Sequence, residues 1–390
     1  MDEKMKFNAI ICEYNPFHNG HKYHLESVKA QNNAPTVAIM SGSFTQRGDI
    51  SVTNKFIKAE TAVKNGVDLV VELPTVYAVG SAESFARGGV GIAENMGCIR
   101  NLCFGAECDD KEKLIKAAES FENESFKTAL REYLGNGCYY PSAVENAVRD
   151  VCGDELAEIV KSPNNILAVE YIKAAEELDF IVTKRKGADH DSAHGKGDIR
   201  SASQLREMIY KGEDISPFCP AEIENYADIK RLERVILYRL RTMSAEELSL
   251  LPDVTEGLEN RIVEAVKSSV SLDEILSKVK TKRYTMARLR RIIICALLGI
   301  TAEMSKKNPP YIRALAFNNK GAEIMREIKR NGTVPLITNV ADGYAALDDK
   351  AKRIFEIDLR ATDIYSLACE SVEPCASDFK RKLTIINTNN

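Results

Sequence analysis

The most constraining feature of the sequence is a short apolar run followed at once by a polar stretch that holds two closely spaced histidines. Residues Phe7 to Ile11 have the character of a buried β-strand, and Cys12 to His24 follow them directly. A helical pattern of apolar residues then begins at Leu25 and Val28. This order predicts the first β-α unit of a parallel sheet. Its polar turn lies at the carboxyl edge of the sheet, where ligands bind in such folds.

The polar turn carries residues that suit a phosphorylated ligand. The first turn of a helix offers unpaired N–H groups and a partial positive charge to phosphate oxygens. Gly20 has no Cβ, so the backbone there approaches a ligand closely. His18 and His21 are placed to donate hydrogen bonds to an α-phosphate as charge builds on it during a displacement. We therefore interpret this histidine pair as catalytic.

Two other interpretations of the histidines remain. A histidine at a helix start often caps the helix or lies on the surface, and three histidines at spacings of three suggest a structural metal. The metal is the weaker alternative, because residues six apart on a helix do not share a face. The chain has only five histidines, and they fall in two groups: His18, His21 and His24, then His190 and His194. That clustering favours a functional role.

Further apolar runs alternate with helical patterns along the first half of the chain. They predict strands at Thr36–Met40, Asp68–Leu73, Arg100–Phe104 and Phe180–Thr183, with a helix at Ser81–Met96. Residues 110–160 have the pattern of three or four helices, which would form an insertion or a cap. Alternating strands and helices with short connections predict a Rossmann-like α/β fold with a parallel sheet.

Polar and glycine residues follow several of the predicted strands. Residues 41–48, Gly105 and the basic run 184–186 each come after a strand and thus belong to the ligand-binding edge. Surface loops and a plain turn glycine are the ordinary alternatives, but three adjacent cations also suit a triphosphate. The polar, glycine-containing residues 191–198 predict a mobile loop that closes over the nucleotide.

Two later helix starts supply more candidates. Asn164 and Asn165 follow a Ser-Pro pair at a predicted helix start, where either side chain can cap the helix while the other contacts a nucleotide. Ser201 caps another predicted helix, whose free N–H groups would face phosphates. Arg206, on the first turns of that helix, offers a planar cation for a departing pyrophosphate.

Composition limits the class of protein. A chain of 390 residues with 44% apolar and 28% charged residues is typical of globular proteins and predicts two domains. The most apolar run, residues 292–300, is too short to cross a membrane, and the start has no signal-peptide layout. We therefore predict a cytoplasmic protein. Its ten cysteines are expected to be reduced. The sequence contains no CxxC pair, so it gives no support to a zinc site.

The distribution of charge says more than the net charge of −4, which alone argues against a nucleic-acid-binding protein. Basic residues concentrate in two stretches, Tyr226–Arg241 and Lys278–Arg291, the second of which also holds Tyr284. Solvated helix faces are the alternative. We favour an RNA surface, where cations neutralise phosphates and Tyr284 stacks on an unpaired base. The candidate RNA contacts are Arg231, Lys282, Arg283, Arg288 and Arg291.

Two motifs carry a family resemblance. His18-Asn19-Gly20-His21, preceded by Asn15-Pro16-Phe17, resembles the HxGH signature of the nucleotidyltransferase superfamily. The longer string from Glu13 to His21 resembles the bacterial tRNA(Met) cytidine acetate ligases. Cys12 and Glu13 stand where the superfamily usually has Gly and Ser or Thr, and this departure is also similar to the ligase family. Residues 199–206 resemble the superfamily's I-S-S-T-x-x-R element, with Ser203 in place of the common Thr and Ala202 where a Ser often stands.

The resemblance implies an ATP-dependent ligase that makes N4-acetylcytidine at the wobble position, 34, of elongator tRNA(Met). It implies acetate, ATP and Mg²⁺ as reactants or cofactors, and gives Gln46 and Arg47 a binding role. The implied catalytic residues are His18, His21, Ser201 and Arg206. The implied ATP-binding residues are Ile11, Cys12, Glu13, Tyr14, Asn15, Pro16, Phe17, His18, Asn19, Gly20, His21, His24, Gly105, Asn165, Arg185 and Ser203.

These expectations define two domains and one reaction. Residues 1–215 should form the Rossmann-like nucleotidyltransferase domain, and residues 216–390 a mainly helical tRNA-binding domain with strands at Tyr311–Phe317 and Val334–Thr338. The expected reaction forms acetyl-adenylate and then acetylates cytidine. A nucleotidyltransferase acting on a small phosphorylated metabolite and a non-catalytic RNA-binding protein are the alternatives. Oligomeric state, acyl selectivity, the tRNA nucleotides read and any metal ligands stay open.

Overall fold

The computed structural model of the chain describes residues 7–185, 199–255 and 257–387. The strands are β1 Phe7–Cys12, β2 Thr36–Ser41, β3 Leu69–Leu73, β4 Ile99–Ala106, β5 Asp179–Lys184, β6 Ile312–Phe317, β7 Leu336–Ile337 and β8 Thr384–Ile385. The helices are α1 Asn19–Gln31, α2 Lys55–Lys64, α3 Thr75–Ala78, α4 Ala82–Asn95, α5 Lys111–Ser120, α6 Glu124–Gly135, α7 Tyr140–Cys152, α8 Asp154–Ile159, α9 Pro163–Ala174, α10 Ala202–Lys211, α11 Glu233–Thr242, α12 Ala245–Ser249, α13 Leu258–Lys267, α14 Leu272–Val279, α15 Met286–Leu298, α16 Asn319–Asn331, α17 Val340–Ala346, α18 Asp349–Ser366 and α19 Ser377–Lys380. A 3-10 helix, Ile229–Leu232, precedes α11.

The strands form a single sheet in the order β5-β4-β1-β2-β3-β6-β7, with β8 also paired to β6. The first five strands are all parallel to one another. Their apolar runs are covered by helices on both faces, as parallel sheets require. This arrangement confirms the predicted Rossmann-like α/β fold and places the carboxyl ends of β1, β2, β4 and β5 along one edge.

Alternation along the strands divides the core between the two faces. Successive side chains of a strand point to opposite faces. Accordingly, Ala9 and Ile11 of β1 pack in one apolar cluster, whereas Ile10 packs in another with residues of α1 and α2. The first cluster also contains apolar residues of α11 to α15, so that the later helices share a core with the sheet.

The later part of the chain completes the sheet. The strands predicted near residues 311–317 and 334–338 exist as β6 and β7, but they join the first sheet, and β6 runs antiparallel to β3. A local sequence pattern predicts a strand and not its partner, which is why this pairing was not expected. Because the two parts of the chain contribute strands to one sheet, the sheet does not mark a domain boundary at residue 215. That boundary stays a prediction.

A buried ionic network joins the early and late segments. The Lys55 Nζ lies 2.8 Å from Glu72 Oε1 and 2.9 Å from Asp378 Oδ1. The Arg313 guanidinium lies 2.9 Å from Glu72 Oε2 and also pairs with Asp378. All four side chains are at most 3% exposed. Two cations and two carboxylates therefore neutralise one another where α2, β3, β6 and α19 meet, as buried charges must.

Four helices, α5 to α8, occupy the segment between β4 and α9 where three or four were expected. The basic stretch at 226–241 contains the 3-10 turn and α11, and the stretch at 278–291 spans the end of α14 and the first half of α15. None of the helices in the described ranges is both long enough and apolar enough to cross a membrane.

Candidate active site

The turn between β1 and α1 is held in place by its own side chains. Tyr14 has a φ of 48°, a left-handed conformation that is costly for a residue with a side chain. The Asn15 side chain donates from Nδ2 to the Ile50 carbonyl oxygen at 3.2 Å and accepts from the Val52 N–H at 2.7 Å. The turn is thereby tied to residues 50–52, which belong to the connection between β2 and α2.

His18 and His21 form a reciprocal cap at the start of α1. The Gly20 N–H donates to His18 Nδ1 at 3.0 Å, and the His18 N–H donates to His21 Nδ1 at 3.2 Å. The two rings stack with their centroids 3.8 Å apart. Because each Nδ1 accepts a hydrogen bond, each neutral imidazole carries its proton on Nε2. The capping interpretation is therefore correct for both residues, and it leaves two neighbouring Nε2–H groups as donors.

The environment keeps these histidines neutral near pH 7. Burial, and after it the guanidinium groups of Arg185 and Arg206, lower the pKa of His18 from its usual 6.5 to about 4. Burial and the neighbouring His18 hold the pKa of His21 well below the usual value. Burial and Arg185 lower the pKa of His24 to about 4. Arg185 and Arg206 disfavour the protonated form of these imidazoles because like charges repel. The same guanidinium groups attract anions, so the site favours a polyphosphate.

The helix α10 reaches this turn from a distant part of the sequence. Ser201 and Gln204 form a capping box at its start. Arg206 donates from Nη1 to the Asn15 carbonyl oxygen at 2.9 Å and from Nη2 to Ser203 Oγ at 3.2 Å. The HxGH turn and the serine-rich helix start, predicted separately, therefore converge in space.

The other predicted nucleotide contacts lie at the ends of β4 and β5. A Cβ on Gly105 would come within 3.3 Å of Arg185 Cγ, so Gly105 and Arg185 are neighbours. Asn165 Oδ1 accepts from the N–H groups of Glu107 and Cys108, each at 3.0 Å, and its Nδ2 donates to a backbone carbonyl. Asn165 thus shapes the turn after β4, and its contact with ATP stays a prediction.

The remaining predicted residues of the turn have supporting positions. Ile11 packs directly against Gly89 of α4, where any Cβ would clash with it. Glu13 accepts the Gln46 N–H at 2.7 Å, which links the turn to the loop after β2. Phe17 is fully buried, and the Asn19 side chain donates to the Pro217 carbonyl oxygen at 3.0 Å. Burial raises the pKa of the Cys12 thiol, so this thiol is protonated.

Lys58 was not predicted, although it organises this edge. Its Nζ donates to the carbonyl oxygens of Glu13, Ser41 and Gly42 at 2.9, 2.8 and 2.9 Å. The residue is 1% exposed, and burial lowers the pKa of its ammonium group to about 8. It binds together the chain at the ends of β1 and β2. The available signal was its position on the buried face of α2, among residues that should be apolar.

The basic residues predicted to bind RNA lie on other elements and differ in exposure. Lys282 and Arg283 are exposed. Arg291 is largely buried and pairs with Asp253 at 3.0 Å. Arg288 donates to the Asp253 carbonyl oxygen at 2.9 Å.

Two further residues of the predicted RNA surface are engaged within the protein. Arg231 donates to the backbone carbonyl oxygens of Tyr226 and Ala368 at 2.9 and 3.0 Å. Tyr284 is only 7% exposed, with the Arg288 guanidinium 5.0 Å from its ring centre. The expectation that Tyr284 stacks on an unpaired base is therefore wrong, because its ring packs in the apolar core around α15.

Within residues 7–185, 199–255 and 257–387, no three His, Cys, Asp or Glu side chains come together in a way that would hold a metal ion. The loop predicted at 191–198, and Lys186 of the basic run, lie outside the described residues.

Sequence comparison places the chain among known enzymes. Residues 5–380 match the family model described as HIGH Nucleotidyl Transferase. A protein of Thermoanaerobacter sp. strain X514, named tRNA(Met) cytidine acetate ligase, is 38% identical over 95% of this chain and 97% of its own length. A protein of the same name from Clostridium kluyveri is 37% identical over 94% of this chain and 96% of its own length.

Structural comparison agrees with the sequence. The apo crystal structure of Thermotoga maritima TmcAL superposes with a TM-score of 0.91 at 29% identity, covering 98% of this chain and all of that one. A second TmcAL structure, bound with alpha-thio ATP, superposes with a TM-score of 0.90 and the same coverage. The chain belongs to the HIGH nucleotidyltransferase family and, within it, to the tRNA(Met) cytidine acetate ligases.

Proposed function

We propose that this protein is an ATP-dependent ligase that acetylates N4 of the wobble cytidine, position 34, of elongator tRNA(Met) through an acetyl-adenylate intermediate. One observation carries the proposal in the site itself. The Arg206 side chain of α10 donates to the Asn15 carbonyl oxygen in the turn that carries His18 and His21. A phosphate-binding helix start and a pair of imidazole donors thereby face one site, in a chain whose relatives are named as these ligases.

The first step activates acetate. A carboxylate oxygen of acetate attacks the α-phosphorus of ATP, and the bond from that phosphorus to the pyrophosphate oxygen breaks. The Nε2–H groups of His18 and His21 stabilise the charge on the α-phosphate oxygens. Ser201, Arg185 and Arg206 bind the departing pyrophosphate. The step requires no protein nucleophile, since positioning and charge stabilisation account for most catalysis at phosphorus.

The second step transfers the acetyl group. The cytidine N4 amine attacks the acetyl carbonyl carbon, the bond to the AMP oxygen breaks, and N4 gives up a proton. AMP and acetylcytidine are the products. A cytidine reaches the site only when it is unstacked from its neighbours, as in a tRNA anticodon loop.

ATP and Mg²⁺ have different support. The T. maritima relative was crystallised with an ATP analogue, and the site offers Gly105, Arg185 and two helix starts to a triphosphate. The described residues provide no carboxylate cluster near it. We propose that Mg²⁺ would accompany the triphosphate, where it would neutralise phosphate charge, since Mg²⁺ at nucleotide sites is held largely by substrate phosphates and waters.

The proposal assigns residues 1–215 to ATP binding and residues 216–390 to tRNA binding. Its predicted tRNA contacts are Arg231, Lys282, Arg283, Arg288 and Arg291, of which Arg231, Lys282 and Arg283 are exposed. It places the enzyme in the cytoplasm, which agrees with all ten cysteines being free.

Acetate-dependent exchange of labelled pyrophosphate into ATP tests the first step. We expect exchange with acetate, and a loss of about 100- to 1000-fold in His21→Ala, the usual effect of removing one donor to a developing oxyanion. Glu26→Ala, an exposed change on the same helix, is the control and should leave exchange unchanged. Exchange that ignores acetate would favour a small-metabolite transferase, and no exchange at all would favour a non-catalytic RNA-binding protein.

A further inference from the structure

The helix α11 and the 3-10 turn before it expose an unusual set of side chains. From residue 230 to residue 242 the exposed positions are Lys230, Arg231, Arg234, Tyr238, Arg241 and Thr242. Not one of them is acidic. Arg234, Tyr238 and Arg241 are spaced by four and three residues, so they share one face of α11.

Acidic residues of the same segment do not neutralise this face. Asp228 and Glu233 are half-buried, and they accept the backbone N–H groups of Lys230 and Leu272 at 3.0 Å each. The four exposed cations form no ion pair with any residue that the structure describes. The helix α16 differs, since it exposes acidic and basic side chains together and contains the ion pair Arg330–Glu327 at 2.8 Å.

Tyr238 protrudes from the middle of the basic face. It is 70% exposed, more than any other aromatic residue in the described ranges. Covering so large an aromatic surface with a partner would release free energy in proportion to the apolar area removed from water. An aromatic ring between guanidinium groups is the arrangement that binds an unpaired base and its flanking phosphates.

The face begins close to the active site. The Ala227 N–H, just before the 3-10 turn, donates to the Val52 carbonyl oxygen at 3.0 Å. The Val52 N–H in turn donates to the side chain of Asn15 in the turn that carries the histidines. On the other side, Tyr226 packs against Tyr210 of α10 with ring centroids 5.7 Å apart. From residue 230 to 241 the segment then extends by roughly 17 Å at the usual rise per residue.

We propose that this surface, formed by Lys230, Arg231, Arg234, Tyr238 and Arg241, binds the substrate RNA, with Tyr238 stacked on an unpaired base and the cations on the adjacent phosphates. The inference rests on the proposed function and assigns the stacking role that the sequence had suggested for the buried Tyr284. Arg231 and Arg241 donate to backbone carbonyl oxygens, which leaves their positive charge without a carboxylate partner. The combination favours RNA over an acidic or apolar protein segment, because an exposed ring beside such cations binds a base and its phosphates together.

Tyr238→Ala in the full-length protein tests the stack. We expect the Kd for elongator tRNA(Met) transcript to rise about 5- to 150-fold, the usual range for one base-aromatic stack. Tyr238→Phe keeps the ring and should bind within about twofold of wild type. The matched control is Tyr140→Ala, since Tyr140 is also exposed but lies near Glu83 and Glu170. This control should bind tRNA normally.

Arg234→Ala tests the electrostatic part. It should weaken tRNA binding and reduce the slope of log K against log salt by about one, as the loss of one phosphate contact does. Acetate-dependent pyrophosphate exchange requires no tRNA and should be unchanged in both variants. A Tyr238→Ala protein that binds tRNA as well as wild type, or a Tyr238→Phe protein as weak as Tyr238→Ala, would overturn the assignment. Absence of exchange in the wild-type protein would instead overturn the proposed function, because tRNA binding is measured independently.

Discussion

Replacing Arg313 with methionine tests the buried network that joins β6 to the rest of the sheet. Methionine retains most of the volume of the arginine stem and removes its charge. Glu72 keeps Lys55 as a partner, and Asp378 keeps the same lysine at 2.9 Å. Two carboxylates then share one ammonium group in a region where all of these side chains are almost inaccessible to water.

The expected cost follows from this burial. Removing one partner of a buried ion pair destabilises a protein by about 3–5 kcal/mol, because a charge is left without compensation. A chain of 390 residues unfolds with an entropy of about 0.8 kcal/mol per kelvin at the usual 2.1 cal/mol/K per residue. The melting temperature should therefore fall by roughly 4–6 °C.

Thermal and urea unfolding of Arg313→Met and of Arg330→Met provide the comparison. Arg330 forms an exposed pair with Glu327, and such pairs contribute at most about 1 kcal/mol. Adding Asp378→Asn to Arg313→Met restores neutrality and should recover part of the loss. Equal effects of the buried and exposed substitutions, or no recovery in the double variant, would refute the reasoning.

Three other outcomes follow from the site. Lowering the pH from 6.5 to 5 should reduce the free energy of unfolding, because His18, His21 and His24 take up protons in the unfolded chain but resist them in the folded one. These imidazoles contribute up to about 4 kcal/mol per pH unit, and Asp358, whose pKa burial raises to about 7, opposes them by up to about 1.4 kcal/mol per pH unit. Urea unfolding at several pH values measures it, and a flat profile would contradict the neutral histidines. Lys58→Met should cost at least about 2 kcal/mol in urea unfolding, because three buried carbonyl groups lose their donor; a change below about 0.5 kcal/mol would contradict that role. Gly48→Ala should lower the melting temperature more than Gly137→Ala. Both glycines have positive φ, but only at Gly48 does a Cβ meet another backbone, 2.4 Å from Arg291 N.

Local patterns were sufficient for the elements that line the site. Apolar runs identified the first five strands, and the polar residues after them identified the ligand edge, because a parallel sheet always brings its carboxyl ends together. The histidine pair and the capping serine were recognisable because each stands at the start of a predicted helix, where the free N–H groups need a hydrogen-bond acceptor. The sequence also placed Arg206 on the helix that Ser201 caps. Its hydrogen bond to the Asn15 carbonyl oxygen was not predictable, because the two residues lie far apart in sequence.

Long-range and buried polar features were not accessible in this way. The partner of β6 depends on pairing across the sheet, which a local pattern does not encode. The position of Lys58 on the apolar face of α2 was visible in the sequence, but its role was not, since the carbonyl groups to which it donates belong to two other loops. Tyr284 looked exposed because basic residues surround it in sequence, while its side chain turns inward. Tyr238 of α11, seven residues after the predicted contact Arg231, is 70% exposed, whereas Tyr284 is 7% exposed.

The position of β6 has a consequence for how the protein is made. A ribosome that has released residues 1–215 has exposed five strands, with β3 as an open edge that awaits a partner from far downstream. Synthesis of residues 216–311 takes roughly 5–20 s at ordinary elongation rates. During that interval the nascent nucleotide-binding sheet presents the unpaired backbone groups of β3, and the Lys55–Glu72 pair still lacks Arg313 and Asp378. An open strand edge of this kind pairs readily with other chains, so a fragment that stops before β6 should aggregate where the full-length protein remains dispersed.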